Sequence, residues 1–406
     1  AGHAAVPAAP PRPAACAASS PVPCYARDPL HEVYGTGALY ARGITGAGAT
    51  IAVILPGTSA GLAADLAVFD RHFRLPPARL QMLAWDHARP GSPRNLAVAG
   101  WDQEGALDLE MAHFMAPAAR LLYVRIPVSP GPYETGELRS AMTALGALAA
   151  PWQIDVASFS WGMYEADLAR SGGYRQLTGL RAGLRSAVAA GVSVIAGSGD
   201  SGPTGPDPAG RGYYRFRTVS WPTSDPLVTG VSGTTVHVTA RGTLARPETV
   251  GRKGSYTGGG GLSAIFPRPA WQNTVARVVG DHRGVVDVSM DDRAWAYIKV
   301  PGQPSSPGWS DAGGTSVSAP LFAGLVADAA QQAGHALGQI NPALYRMHGP
   351  GDGITDITRG SNTDHGIPGY PTRPGYDLPT GIGTIASASR FVTALVRLEA
   401  RRERRR

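Results

Sequence analysis

The sequence predicts an α/β domain built on a central parallel sheet with helices on both faces. Two patterns carry this. Short, almost wholly apolar runs bounded by Gly or Pro recur along the chain, as strands buried on both faces should. Between them lie segments of helical spacing, and alternating strands and helices imply right-handed crossovers into a parallel sheet. The 406 residues suffice for a large core, and 43% hydrophobic against 17% charged residues suits a globular chain in water. No run of about 18 apolar residues occurs, which argues against a membrane span.

In order, ATIAVIL (49–55) reads as the first strand and GLAADLAVFDRHF as the helix after it. QMLAWDH (81–87) and RLLYVRI (120–126) are strands on either side of a helix over EGALDLEMAHFMA (104–116). A helix over 135–149 precedes the strand DVASFSW (155–161), and one over 174–190 precedes VSVIAGSG (192–199). No internal repeat interrupts the pattern, so residues 28–396 form a single domain. The Ala/Pro-rich stretch over residues 1–27 cannot pack a core and reads as a tether. Cys16 and Cys24 within it either close a small disulfide, which suits a secreted protein, or remain free thiols. The start at Ala1 rather than Met is consistent with removal of a leader or pro-domain.

The formal charge is +7, and much of it lies in RLEARRERRR, so residues 397–406 are expected to be a solvated Arg-rich tail. With no basic stripe interleaved with aromatics read elsewhere, nucleic acid is not an expected partner. A monomer is expected.

Two stretches hold the chemistry. GSGDSG (197–202) follows a strand, where chemistry collects in parallel α/β sheets. Its GDSG suggests a chymotrypsin-type nucleophile at Ser201, but that enzyme needs an all-β double barrel and a histidine in a recognisable context. Asp200 is the residue of interest there. In SDAGGTSVSAPLFAGLVADAAQQ (310–332), two glycines lead into Thr315 and Ser316, with Pro320 expected in the first turn of a helix. The bland alternative is an ordinary Thr/Ser cap. A serine there has an exposed hydroxyl and a free backbone N–H able to stabilise an oxyanion.

The first strand ends VILPGTS without an Asp, and no His-Gly-Thr-His occurs, so a histidine-dependent base is missing. WDQEGALDLEMAHFMAPAA (101–119) offers carboxylates instead. Glu104 and Asp108, four apart, share one helix face, and Glu110 points elsewhere. An isolated pair of this kind is usually surface. If half-buried, its repulsion raises one pKa and lets the two share a proton.

The ordered set ITGAGATIAVI, EGALDLEMAHFMAPAA, VASFSWG, IAGSGDSG, WPTSDPLVTGVSGTTV, GGGGLSAIFPRPAWQ, VVDVSM, GGTSVSAP, GQINPALY and PGYDLPTGIG closely resembles the serine-carboxyl peptidases, or sedolisins, of the kumamolisin and tripeptidyl-peptidase kind. The resemblance covers nearly the whole chain and implies a subtilisin-like fold and hydrolysis of peptide or protein substrates. It implies Ser316 as nucleophile, Glu104 as general base, Asp108 as the group supporting Glu104 and Asp200 as the carboxylic acid of the oxyanion hole. SFSWGMYE (158–165) and TGGGGLS (257–263) correspond to the two edges of a peptide-binding cleft, although Trp161 serves equally as plain core. The kumamolisin branch extends its carboxylate network with a Glu after the first strand, where this chain has Leu55-Pro56.

A carboxylate base, with a reference pKa near ~4, stays competent in acid where a histidine near ~6.5 would be protonated. An Asp in an oxyanion hole donates only when protonated, so acid favours it as well. Acid-acting acylation and hydrolysis at Ser316 is therefore expected. The alternatives are a histidine-dependent subtilisin-like protease and a secreted non-catalytic binding protein on the same scaffold.

Near the C-terminus, TDITRGSNTDHGIPGYPTRPGYDLPTGIG (355–383) alternates carboxylates with Gly/Pro-rich backbone, the donor set of a hard cation. The resemblance implies one structural Ca2+ held by the Asp356 and Asp377 side chains and the carbonyls of Ile357, Arg373 and Gly375.

Overall fold

The computed structural model describes residues 27–404, apart from 58–60, 89–95, 129–134, 171–173, 210, 240–243, 254–255 and 300–307. Cys16, Cys24 and all of the expected tether but Arg27 lie outside the described residues.

The core is a ten-stranded sheet. Its strands in chain order are β1 (Thr50–Leu55), β2 (Arg79–Ala84), β3 (Arg120–Arg125), β4 (Val156–Phe159) and β5 (Ser193–Gly197), then β6 (Val228–Val238), β7 (Leu244–Val250), β8 (Val288–Asp291), β9 (Ile354–Thr355) and β10 (Thr384–Ile385). Across the sheet they lie in the order β9, β10, β8, β6, β5, β4, β1, β3, β2, with β7 antiparallel on β6. Every pairing from β10 to β2 is parallel. Every residue of β1, β4 and β5 is buried, which explains their nearly unbroken apolar sequences. The edge strand β2 is largely exposed.

The main helices are α1 (Leu62–Phe73), α2 (Leu96–Met115), α3 (Thr135–Leu148), α4 (Gln176–Ala189), α5 (Thr315–Ala333) and α6 (Ala388–Glu403). α3 packs on α4, while α5 packs on α2, α6 and the centre of the sheet. α5 is buried all round from Thr315 to Ala330, hence its lack of a polar face.

Four expectations need correction. α2 starts at Leu96 instead of residue 104, which places Glu104 and Asp108 in mid-helix. QMLAWDH is strand only to Ala84 and turns at Trp85–His87, where Asp86 and His87 have positive φ. α5 starts at Thr315, so Pro320 stands in its second turn, where it has no N–H to donate to the Ser316 carbonyl. Residues 397–403 are the last turns of α6 and not a solvated tail. Leu398 and Glu399 are buried, and Arg402 binds Glu399 at 2.7 Å and the Gln339 carbonyl at 2.5 Å. Burying the apolar side of α6 against α5 is what orders this basic segment.

Candidate active site

Parallel strands place their carboxyl ends on one side of the sheet, and the site collects there. β4 and β5 are neighbours, with Phe159 paired to Ala196. Ser160 follows β4 directly, and Asp200 lies three residues beyond β5. α5 enters from the strand Gly308–Gly313 through Gly314, with Ser316 as its second residue. Gly314 has φ +112°, and a Cβ there would run into the Asp200 carboxyl, so only glycine allows this entry.

The Ser316 hydroxyl faces the Glu104 carboxyl across the α2–α5 contact, close enough to hold the Glu104 pKa down. Ser316 is 8% exposed, enough to meet a ligand from the solvent side. Burial pushes Glu104 up to about 7, with the Ser316 hydrogen bond opposing and the Asp200 charge adding to the shift. Asp108 is fully buried, and burial followed by the charge of Glu104 holds its pKa well above the carboxylate range. Its Oδ1 accepts the Ser160 hydroxyl at 2.5 Å. Glu104 Oε1 and Asp108 Oδ2 are buried and have no hydrogen-bond partner among the described residues.

Asp200 also has its pKa raised by burial, against hydrogen bonds from Thr315. Its Oδ1 accepts the Thr315 N–H at 2.7 Å, and Thr315 Oγ1 accepts the Gly199 N–H at 3.1 Å. The structure thus brings Glu104, Asp108, Asp200 and Ser316 together. Ser201, although adjacent to Asp200, bridges to Thr257, and no carboxyl or imidazole binds its hydroxyl among the described residues. Glu110 points away, as expected, and accepts the Tyr297 N–H at 2.8 Å.

Three positions were not resolved by sequence reasoning. Thr315 was passed over, although its place between the double glycine and Ser316 was the available signal. Ser160 was assigned to the cleft edge, whereas its hydroxyl turns inward to Asp108. Trp161 is core: 8% exposed, it donates to the Ile54 carbonyl at 2.9 Å and packs edge-on against Trp101.

Asp356 and Asp377 meet in the loop after β9. Asp377 accepts the N–H groups of Arg373 and Thr380, both at 2.9 Å, and Asp356 accepts that of Gly375 at 2.8 Å. Burial, with the charge of Asp356 in support, raises Asp377 to about 6. Asp356 Oδ1 is buried without a hydrogen-bond partner among the described residues. Two close carboxyls with an unsatisfied oxygen fit a cation, though among the described residues no three acidic, His or Cys side chains cluster as a metal site. A site here would depend on backbone carbonyls.

Together, fold and site define a subtilisin-like α/β domain in which Ser316 lies among the carboxyl groups of Glu104, Asp108 and Asp200. No family model matches the chain. It is 35% identical to kumamolisin of Bacillus sp. (strain MN-32) over 297 residues, 70% of this chain and 49% of that protein. To bovine tripeptidyl-peptidase 1 the identity is 31% over 310 residues, 69% of this chain and 50% of that protein. With sedolisin of Pseudomonas sp. (strain 101) it is 32% over 219 residues, 51% of this chain and 36% of that protein. The chain thus spans about half or less of the length of these relatives. The solved structure of Pseudomonas sedolisin, a serine-carboxyl proteinase complexed with pseudo-iodotyrostatin, shares the fold with a TM-score of 0.75 at 24% identity, covering 94% of this chain and 98% of that one. The chain belongs to the sedolisin family.

Proposed function

We propose that this protein is a serine-carboxyl peptidase acting in acid on peptides or proteins. The observation that carries the reading is the Ser316 hydroxyl facing the Glu104 carboxyl, with Asp200 fixed nearby by the Thr315 N–H. Glu104 takes the hydroxyl proton as Ser316 attacks the scissile carbonyl, and returns it to the leaving amine. Asp108, held by Ser160, supports the proton on the Glu104–Asp108 pair; the unpartnered Glu104 Oε1 and Asp108 Oδ2 are where a shared proton would sit. Asp200, kept protonated by burial, donates to the oxyanion together with the Ser316 N–H. Water then hydrolyses the ester by the same route. Peptide lies between the segments 160–164 and 257–263 by strand addition. An acid optimum suits a secreted enzyme. Digestion of a peptide mixture near pH 4, with cut sites read by mass spectrometry, tests the reading. Cleavage is expected from the native chain and not from Ser316→Ala, and cleavage by a folded Ser316→Ala protein would overturn it.

A structural Ca2+ is part of the same proposal. The side chains of Asp356 and Asp377 and the carbonyls of Ile357, Arg373 and Gly375 would hold it, neutralising two close carboxylates far along the chain from Ser316. A ligand binding only the native state stabilises it by about 2.7 kcal/mol at a hundredfold excess over Kd. Chelation near pH 6 should therefore lower the melting temperature, and Asp377→Ala should abolish that response. Identical melting with chelator and with millimolar calcium would remove calcium from the account.

A further inference from the structure

Between Asp200 and the strand Ser220–Trp221 the chain makes an excursion whose outer part reads RGYYRFR, Arg211 to Arg217. This corrects the expectation that no basic segment is interleaved with aromatics. Its base is closed by hydrogen bonds from Thr218 N–H to the Pro203 carbonyl and from Tyr214 N–H to the Gly205 carbonyl, both 2.9 Å. Ser220–Trp221 pairs antiparallel with Met163–Tyr164, beside one edge of the cleft. At the other edge, a Cβ on Gly261 would lie 3.2 Å from the Val219 side chain. The excursion therefore rises between the two edges that flank the catalytic groups.

Its tip is exposed and positively charged. Phe216 is 52% exposed and Tyr213 36%. Arg211 is neutralised by Asp207 at 2.8 Å, and Arg217 is tied to the Pro368 carbonyl and lies over the Tyr370 ring. Arg215 is exposed and has no hydrogen-bonding or charged partner among the described residues. An exposed guanidinium with no such partner, next to the exposed Phe216 in the chain, offers a fork for a carboxylate.

We infer that this rim selects peptides carrying a carboxylate side chain near the scissile bond, with Arg215 as its partner. The inference rests on the peptidase reading. Arginine is charged at every working pH, whereas Asp and Glu side chains ionise above about pH 4, so the preference has a lower pH limit.

The test uses internally quenched peptides that differ only by Glu or Gln at each position within about four residues of the cut. Near pH 5 and at low salt, Glu at one position should raise kcat/KM about two- to fivefold, the range of an exposed ion pair. The preference should fade at high salt, and at about pH 3 where Glu is protonated. Arg215→Gln should erase it and Arg215→Lys should retain most of it. Equal cleavage of Glu and Gln peptides at every position, or a preference that survives Arg215→Gln, overturns the inference while leaving the peptidase reading intact. No cleavage of any peptide overturns the reading beneath it.

Discussion

Glu104→Gln is expected to lower kcat on the order of 10³- to 10⁴-fold, because it removes the carboxylate proposed as base beside Ser316. The amide keeps the shape of the carboxyl and can still touch the serine, so folding and KM should change little. Asp108→Asn should fall in the same direction by less, since Asp108 acts through Glu104. Its Oδ1 would still accept from Ser160, but Oδ2 would be lost as a proton site. Ser201→Ala should leave most activity, as nothing in the site activates that hydroxyl. Steady-state kinetics on one peptide substrate checks all three, with circular dichroism confirming the fold. A Glu104→Gln enzyme within tenfold of the native kcat would show that Glu104 is not the base.

Raising the pH from about 4.5 to about 7.5, with calcium held at millimolar concentration, should destabilise the fold. The cause is carboxyls whose burial outweighs every favourable contact they make. Glu110, Asp291 and Asp328 are fully buried, and burial above all holds their pKa values well above the carboxylate range. The neighbouring Asp292 and Glu248 charges add to the shift of Asp291. Burial lifts Glu248 itself to about 7, against the hydrogen bond from Thr234. The sign follows from linkage. A folded-state pKa above the unfolded one gives stability that is complete below the unfolded value, about 4, and lost as pH rises through the folded value. For Glu248 this amounts to on the order of 3 kcal/mol. Thermal melting should therefore drop several degrees towards neutrality, and Glu248→Gln should shrink that drop. A melting temperature that rises or stays level over this range would contradict the account of these buried acids.

The sheet was legible because β1, β4 and β5 are buried on both faces and so carry few polar residues, one each in Thr50, Ser158 and Ser193. Boundaries were less so. α2 begins eight residues before the expected start, although Asn95, a favoured capping type, directly precedes Leu96 in the sequence and was the signal to read. The basic end of α6 was misread because charge was weighed without the apolar spacing of Phe391, Leu395 and Leu398 that docks it. At the site, the type and spacing of Glu104, Asp108 and Ser316 could be read locally, and Asp200 from its place after a strand. The inward turn of Ser160 and the double contact of Thr315 with Asp200 depend on strands and helices distant in sequence. Local pattern holds no record of them.

The central claim is that carboxyls, and no histidine, move the proton at Ser316. The pH dependence of kcat/KM on an uncharged peptide tests it most directly, read on calcium-loaded enzyme at a temperature where it stays folded across the range. The account predicts a maximum in acid and a decline towards neutrality, as Asp200, whose pKa burial raises, loses the proton it donates and the Glu104–Asp108 pair loses the one it shares. A profile that rises through pH 7 to a plateau would show that no protonated carboxyl is needed at Ser316 and would contradict it.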